Sequence, residues 1–262
     1  MLRVLTWLKV LRRRADHAPV SACGIVLQGG QMVAVQIADG ETERPVILGH
    51  ATVPAATGNA LGALRQLVGV LDLTGSVLRW VLSSDQYRFQ LIDLPNVPAD
   101  ELRQALSWRL AEWFADHHDQ QPPSMVNFTF DVLPLPAAQV DMLPSQALVF
   151  GVPNQVLRPI QVACHEASLA LEVVDVAALA QRNLSARAEA QGRGLAVLSL
   201  NEGGGLLTIT QGGELYLVRH LETSLTQLMR ADDAGRQILL ERIALDLQRS
   251  FDVFDRQSRT AQ

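Results

Sequence analysis

Four groups of side chains in this sequence have types and spacings that could do chemistry. Asp116-His117-His118-Asp119 sets four metal-ligand types in consecutive positions. Cys164-His165-Glu166 places a thiol beside an imidazole and a carboxylate, the parts of a nucleophile and its base. The glycine-rich stretches Gly29-Gly30 and Gly203-Gly204-Gly205 offer backbone amides of the kind that wrap phosphate oxygens. Tyr87, Phe89 and Trp108 supply aromatic surface suited to holding an apolar peptide.

Spacing removes the first two. Adjacent residues at a helix end face different directions, so one ion is hard to reach with all four of Asp116 to Asp119, and a solvated helix terminus is expected. Neighbours on a helix likewise cannot align as nucleophile and base, which assigns Cys164-His165-Glu166 to packing. Cys23 and Cys164 are the two cysteines of the chain, too few for a disulfide framework or a zinc site, and both read as small buried thiols. No metal is expected.

The chain that must position the remaining groups has 262 residues, 48% of them hydrophobic, and a net charge of −5. It is long enough for one large domain or two small ones with a real core. Its mild acidity speaks against a nucleic-acid binder, which needs clustered Lys and Arg to neutralise phosphates. No apolar run reaches the roughly 18 residues of a membrane span. At the N-terminus, Leu2, Val4, Leu5, Trp7, Leu8, Val10 and Leu11 run into Arg12-Arg13-Arg14, the reverse of the charge order in a secretory signal, so the segment reads as uncleaved. Residues 1–20 form a basic amphipathic segment with two readings. Residues 1–14 can lie on an anionic membrane surface, or they can pack on their own domain.

From Ser21 onward, strand and helix patterns alternate. Residues 22–28, 31–38 and 45–53 read as an antiparallel meander. A helix over about 57–72 follows, with Leu61, Leu64, Val68 and Leu71 as its stripe, and then a buried strand at 78–82 with Trp80. The proline-bounded stretch 87–150 reads as an inserted unit: strand 87–94, a helix to about Asp116, strand 126–133 and strand 148–152. Helix 153–168, strand 171–174 and helix 176–190 complete a first lobe over 21–190. A second meander (195–200, 206–210, 215–219) and two helices occupy 191–262, the last helix carrying Leu240, Ile243, Ala244, Leu247, Phe251 and Phe254 on one face. A meander followed by a helix thus occurs twice, the sign of a duplicated α/β fold enclosing a cleft.

Several runs now fall together: Cys23-Gly24-Ile25-Val26-Leu27; Leu91-Ile92-Asp93-Leu94-Pro95-Asn96-Val97-Pro98, followed by Glu101-Leu102, Ala105-Leu106 and Trp108-Arg109; Asp131-Val132-Leu133-Pro134-Leu135-Pro136; and Asp246-Leu247-Gln248-Arg249-Ser250-Phe251-Asp252. Spread in order over nearly the whole chain, they resemble the MshI proteins of mannose-sensitive haemagglutinin (MSHA) pilus biogenesis, which belong with PilM among actin-like proteins. The resemblance implies an actin-like (RNase H-like) fold, an α+β subdomain inserted in the first lobe, and a second lobe that is incomplete by residue 262.

Families of this fold hold a nucleotide between two phosphate-cradling hairpins, with an Asp that organises magnesium. By the resemblance, Val26 stands at the first Asp position, Val33 at a basic position in the next strand, and Ser199 at the second Asp position. Gly24, Gly29, Gly30, Gly203, Gly204 and Gly205 are then the remnant of a degenerate site. A triphosphate bears about four negative charges, and without a carboxylate for magnesium or a lysine for the phosphates its binding loses its main electrostatic support. The expectation is no catalysis and no cofactor, with weak ATP binding through glycine amides as the residual option.

Two residues of the inserted helix stand out. Arg109 points where its stripe of Leu102, Ala105, Leu106, Leu110 and Trp113 calls for an apolar side chain, so it needs a partner. Asp93 or Asp131 can form a structural ion pair with it, and direct contact with another protein is the other reading. Trp108 falls roughly 140° from that stripe, which leaves it either packing on the main lobe or lining a peptide groove with Tyr87 and Phe89.

The function implied by the resemblance is a cytoplasmic scaffold peripheral to the inner membrane. It would bind the cytoplasmic tail of a bitopic pilus-assembly membrane protein and link it to the assembly motor ATPase. The competing readings are an actin-like ATPase and the equivalent platform protein of a type II secretion system.

Overall fold

The computed structural model describes residues 21–38, 45–56, 59–95, 97–98, 101–114, 127–136 and 146–260; within these, the side chains of 103, 108, 109, 111, 112, 114 and 257–260 are outside the description. The amphipathic segment 1–20 and the Asp116–Asp119 cluster lie outside the described residues.

The chain divides into two compact units. The first is drawn from Met1–Gln86 and Pro153–Ala177, the second from Tyr87–Val152 and Ala178–Gln262.

In the first unit, strands β1 (Ser21–Gln28), β2 (Gln31–Ala38) and β3 (Ile47–Pro54) form an antiparallel meander. Strand β4 (Ser76–Leu82) then pairs parallel with β1, and β8 (Ala170–Val176) pairs parallel with β4, giving the order β3-β2-β1-β4-β8. Parallel pairing requires a crossover, and helix α1 (Ala60–Val70) supplies it between β3 and β4. Asn59 caps α1 by accepting from the Gly62 amide at 2.9 Å. Helix α3 (Asn154–Glu166) lies beside α1, and both pack on the sheet. The alternation of β4 puts Leu78, Trp80 and Leu82 in the core, each at 0% exposure, while Arg79 on the other side pairs with Glu172 at 3.2 Å. A buried polar knot ties the sheet's end: the Ser21 and Ser76 hydroxyls lie 2.6 Å apart, and Gln36 Nε2 donates to both hydroxyls and to the Asp72 carbonyl.

The second unit contains two sheets. Strands β5 (Arg88–Asp93), β7 (Gln146–Pro153) and β6 (Phe128–Pro134) run in the order β5-β7-β6. Helix α2 (Leu102–Phe114) packs on this sheet through Leu106 and Leu110, which form a core with Phe130 and Val149. The stripe expected from the sequence is therefore the buried face. Strands β9 (Leu195–Asn201), β10 (Gly204–Gln211) and β11 (Glu214–Leu221) make the second meander in the order β11-β10-β9. Helix α4 (Ala177–Ala188) reaches β9 and β10 through Gln181, and α5 (Leu225–Arg230) and α6 (Asp233–Thr260) follow the meander. Leu207, Ile209, Leu217, Leu221 and Ile243 form the core between this sheet and α6.

The duplication is explicit in the packing, since α1 lies over β3 as α6 lies over β11. Both hairpins turn in two residues, 29–30 between Gln28 and Gln31, and 202–203 between Asn201 and Gly204. Matching the turns sets Val26 against Ser199, Ile25 against Leu198 and Cys23 against Ala196. The inserted sheet groups with the second meander because Tyr87 and Phe89 at its start stack edge-on against His220 of β11, at centroid distances of 5.6 and 5.0 Å.

Candidate functional site

The first hairpin turns on Gly29 and Gly30, with φ of 58° and 69°, backbone angles open to glycine at little cost. Just behind the turn, Val26 faces Val33 across the antiparallel pair and Val81 across the parallel one. All three are half-buried. Where the resemblance would set a carboxylate and a cation, three valines, Val26, Val33 and Val81, stand side by side. Gly24, two residues earlier and on the same face of β1 as Val26, has ordinary room around it: a Cβ there would meet only the Val35 carbonyl, at 4.0 Å.

The second hairpin differs from the sequence-based expectation. Its turn is Glu202-Gly203, and Gly204 and Gly205 belong to β10. The Gly203 amide donates to the Asn201 side chain at 2.8 Å, so an amide expected to face phosphate is already engaged. Gly204 has φ of 135°, and a Cβ on it would come within 2.6 Å of the Leu221 carbonyl. A Cβ on Gly205 would meet Leu200 at 2.9 Å and Leu221 at 3.0 Å. Packing of β9 and β11 accounts for these two glycines without a ligand.

Ser199, which the resemblance sets at the second Asp position, donates to Gln181 Oε1 at 2.7 Å. The Gln181 amide nitrogen in turn donates to the Val197 carbonyl at 2.9 Å, the Leu206 carbonyl at 3.2 Å and Thr208 Oγ1 at 2.9 Å. Gln181 is buried and every polar atom of its side chain is used. Next to it, buried Arg182 donates from Nε to the Gly213 carbonyl at 3.0 Å and pairs with Glu214, while Glu189 accepts from the Gly213 amide at 2.8 Å. Helix α4 therefore clamps the meander at both its face and its far turn. Neither Gln181 nor Arg182 was singled out in the sequence; the signal available was two long polar residues set among the small residues of Ala177-Ala178-Leu179-Ala180, which permit close helix approach.

Among the described residues, no group of three or more His, Cys, Asp or Glu side chains could hold a metal ion. In Cys164-His165-Glu166 the thiol is buried and its two neighbours are exposed, so the three do not converge. Burial pushes the Cys23 thiol up to about 11 and the Cys164 thiol up to about 12, which makes both poor nucleophiles.

Of the aromatic set, Tyr87 is 3% exposed and its hydroxyl accepts from the Ala178 amide at 3.2 Å. It also packs against Phe150, as does Phe89. Tyr87 and Phe89 are brought together, on His220 rather than in an open groove. Trp108 and Arg109 lie in α2, and their side chains are outside the described residues, as is any pairing of Arg109 with Asp93 or Asp131. Asp93 Oδ1 accepts from Gln146 at 3.0 Å, and Asp131 Oδ1 accepts from the Val132 amide at 2.9 Å.

A doubly repeated meander and helix, with a second sheet inserted after the first lobe's β4, defines an actin-like fold. The chain is similar in structure to a chain of the PilM-PilN type IV pilus biogenesis complex, with a TM-score of 0.66 and 22% identity over 91% of this chain and 79% of that one. It is also similar to the cytoplasmic domain of EpsL, an inner-membrane component of the type II secretion system of Vibrio cholerae, with a TM-score of 0.52 and 12% identity over 82% and 76% of the two chains. No protein-family model and no curated protein sequence matches it. No helix among the described residues is long and apolar enough to cross a membrane.

Proposed function

We propose that this protein is a cytoplasmic scaffold of a type IV pilus assembly machine of the MSHA kind, binding the cytoplasmic tail of a bitopic inner-membrane pilus protein and linking it to the assembly motor ATPase. The observation that carries this reading is the likeness, over 91% of the chain, to a chain of a PilM-PilN pilus complex. The valine patch at Val26, Val33 and Val81 and the closed Ser199–Gln181 pair support a role without nucleotide chemistry. A fold alone does not fix function, so the weight falls on these two features together.

The tail docks beside the inserted sheet. Strand β5 is an edge strand whose Leu91 is 41% exposed, a place where an extended peptide can add by backbone pairing. Phe89 and Trp108 are the proposed side-chain contacts, with Tyr87 fixing the strand from below. Residues 1–14 provide the peripheral contact with the inner membrane.

The test is capture of the purified cytoplasmic tail of a bitopic inner-membrane pilus protein. Trp108→Ala is expected to keep its thermal transition and to weaken tail binding by roughly thirtyfold, about 2 kcal/mol. Equal affinity in the variant and the parent would remove Trp108 from the site, and no capture by the parent would end the scaffold reading. The likeness to EpsL favours a second reading, the platform of a type II secretion system. Preference for a secretion-system tail over a pilus tail separates the two.

A further inference from the structure

Where β3 begins, three consecutive large apolar side chains face water: Val46, Ile47 and Leu48 are 57%, 63% and 53% exposed. No two of the other exposed large apolar side chains among the described residues are adjacent in sequence. Half-buried Ile37 stands opposite Ile47 and extends the patch onto β2. The register shift between β2 and β3 falls at this point, pairing Ile37 with Ile47 and Gln36 with Gly49, so that Leu48 is the extra residue of a bulge. A bulged edge is a poor template for an added strand, which leaves the side chains as what this end of β3 offers. An exposed run of this kind calls for something to cover it.

The chain enters the first sheet at the same end. Ser21, the first residue of β1, pairs with Ala38 at the end of β2, and the Ala38 amide donates to the Val46 carbonyl at 3.0 Å. With neighbouring strands about 4.8 Å apart, Ser21 and Val46 are separated by roughly 10 Å. In the segment before Ser21, Val4, Leu5, Trp7, Leu8 and Leu11 fall on one side at helical spacing. Residues 12–20, which join that stripe to Ser21, reach up to about 30 Å when extended, and a helix of ten residues is about 15 Å long. The tether therefore keeps the stripe within reach of Val46–Leu48, at an effective concentration on the order of millimolar.

Charge favours the same meeting. Residues 1–14 hold five basic residues, Arg3, Lys9, Arg12, Arg13 and Arg14, and no acidic one, out of 22 basic and 27 acidic in the chain. The remainder then holds 17 against 27, a net charge of −10 against the segment's +5. One exposed carboxylate, Asp72, lies at this end of the sheet: its carbonyl accepts from Gln36 Nε2, which also donates to Ser21, and the preceding Leu71 packs by Gly49 of β3.

We infer that the stripe Val4, Leu5, Trp7, Leu8 and Leu11 docks on the Val46–Leu48 patch of its own chain when no membrane is present. The apolar side chains of the stripe cover the bulged end of β3, and Arg12, Arg13 and Arg14 remain near the acidic body. An anionic bilayer competes for the same stripe, so this docking lowers the apparent affinity of the membrane contact proposed above. The docking itself rests neither on that contact nor on the pilus reading.

Acrylamide quenching of Trp7 in the purified 262-residue protein, read as the difference between the parent and Trp7→Phe, tests the inference. Trp7 should be several-fold less quenched than in a peptide of residues 1–14. Ile47→Thr combined with Leu48→Thr keeps strand-forming residues while removing the apolar contact, and should shift the docking equilibrium about tenfold toward the open form. Val162→Thr, on the 54% exposed side of α3, should leave quenching unchanged. Leu8→Cys with Leu48→Cys should form a disulfide within one chain at high dilution, and Leu8→Cys with Val162→Cys should not; the native Cys23 and Cys164 are buried. The threonine pair should also bind vesicles of mixed zwitterionic and anionic phospholipid more tightly than the parent. Trp7 as open to quencher in the parent as in the peptide overturns the inference. Protection that grows with protein concentration does so too, since the stripe then sits on a second copy. Weaker vesicle binding by the threonine pair also overturns it, because the patch is then itself the lipid contact. Should the threonine pair fail to fold, the two cysteine pairs decide the matter.

Discussion

Ser199 Oγ donates to Gln181 Oε1 across 2.7 Å, from the middle of β9 to the helix that enters the second unit. That one bond changes the meaning of the serine. An Asp there would present an acceptor to the acceptor side of an amide whose nitrogen is already committed to Val197, Leu206 and Thr208. The serine is part of a closed hydrogen-bonding arrangement in which a carboxylate would find no donor.

Ser199→Asp should therefore destabilise rather than restore anything. Flipping the Gln181 amide to meet the carboxylate would break its three donor bonds, and keeping it would set two acceptors together. A loss of about 1–3 kcal/mol is expected in denaturant unfolding, with Ser199→Ala at the low end and Gln181→Leu at the high end. A double-mutant cycle of Ser199→Ala with Gln181→Leu should show coupling, since the two residues share one network. Additive effects would break the link argued here.

Glycine variants should rank by cause. Gly204→Ala places a Cβ 2.6 Å from the Leu221 carbonyl at φ of 135° and should cost roughly 2 kcal/mol or more. Gly30→Ala, at φ of 69° with open space around it, should cost only the backbone strain, about 1 kcal/mol. Gly24→Ala should be near neutral, since the nearest atom is 4.0 Å away. Thermal melts of the three variants check the order, and a large loss at Gly24 would contradict the open space seen there.

How much of this could be read from the sequence follows from which signals are local. The meanders, the inserted strands and the stripe of α2 are periodic, and Leu106 and Leu110 fall on the buried face that period 3.6 assigns. The actin-like duplication showed because both meanders are closed by glycine turns. What escaped was set by contacts between distant residues. Gln181 finds Ser199 through the fold alone, and His220 meets Tyr87 and Phe89 from a strand more than a hundred residues on. The Gly203-Gly204-Gly205 run looked like one loop because composition cannot tell a turn glycine from one required by a neighbouring strand.

His220 gives a pH signature. Burial of its ring between Tyr87 and Phe89 lowers its pKa below the usual 6.5. The unfolded chain then takes up the proton first as pH falls, so stability is complete above 6.5 and declines from there down to the lowered value. Part of the residue remains exposed, which keeps the effect small. Unfolding followed between about pH 7.5 and about pH 5.5 should show a shallower decline for His220→Phe than for the parent. Parallel curves would mean that the imidazole ionises as freely folded as unfolded.

The last prediction concerns nucleotide. Val26, Val33 and Val81 meet at one point of the first sheet, and Ser199 is closed off in the second, so none of these positions offers a charge to a magnesium triphosphate. The Gly203 amide, the most obvious neutral donor, is held by Asn201. Calorimetry with ATP and magnesium should thus show no binding in the micromolar range, and no hydrolysis above background. Val26→Asp should not rescue it, because a carboxylate opposite Val33 and Val81 would gain no cation partner in a half-buried apolar patch and would be costly to ionise there. Micromolar, magnesium-dependent affinity in the parent would show that other groups have taken over the phosphates, and the valine patch would then cease to be evidence for a scaffold.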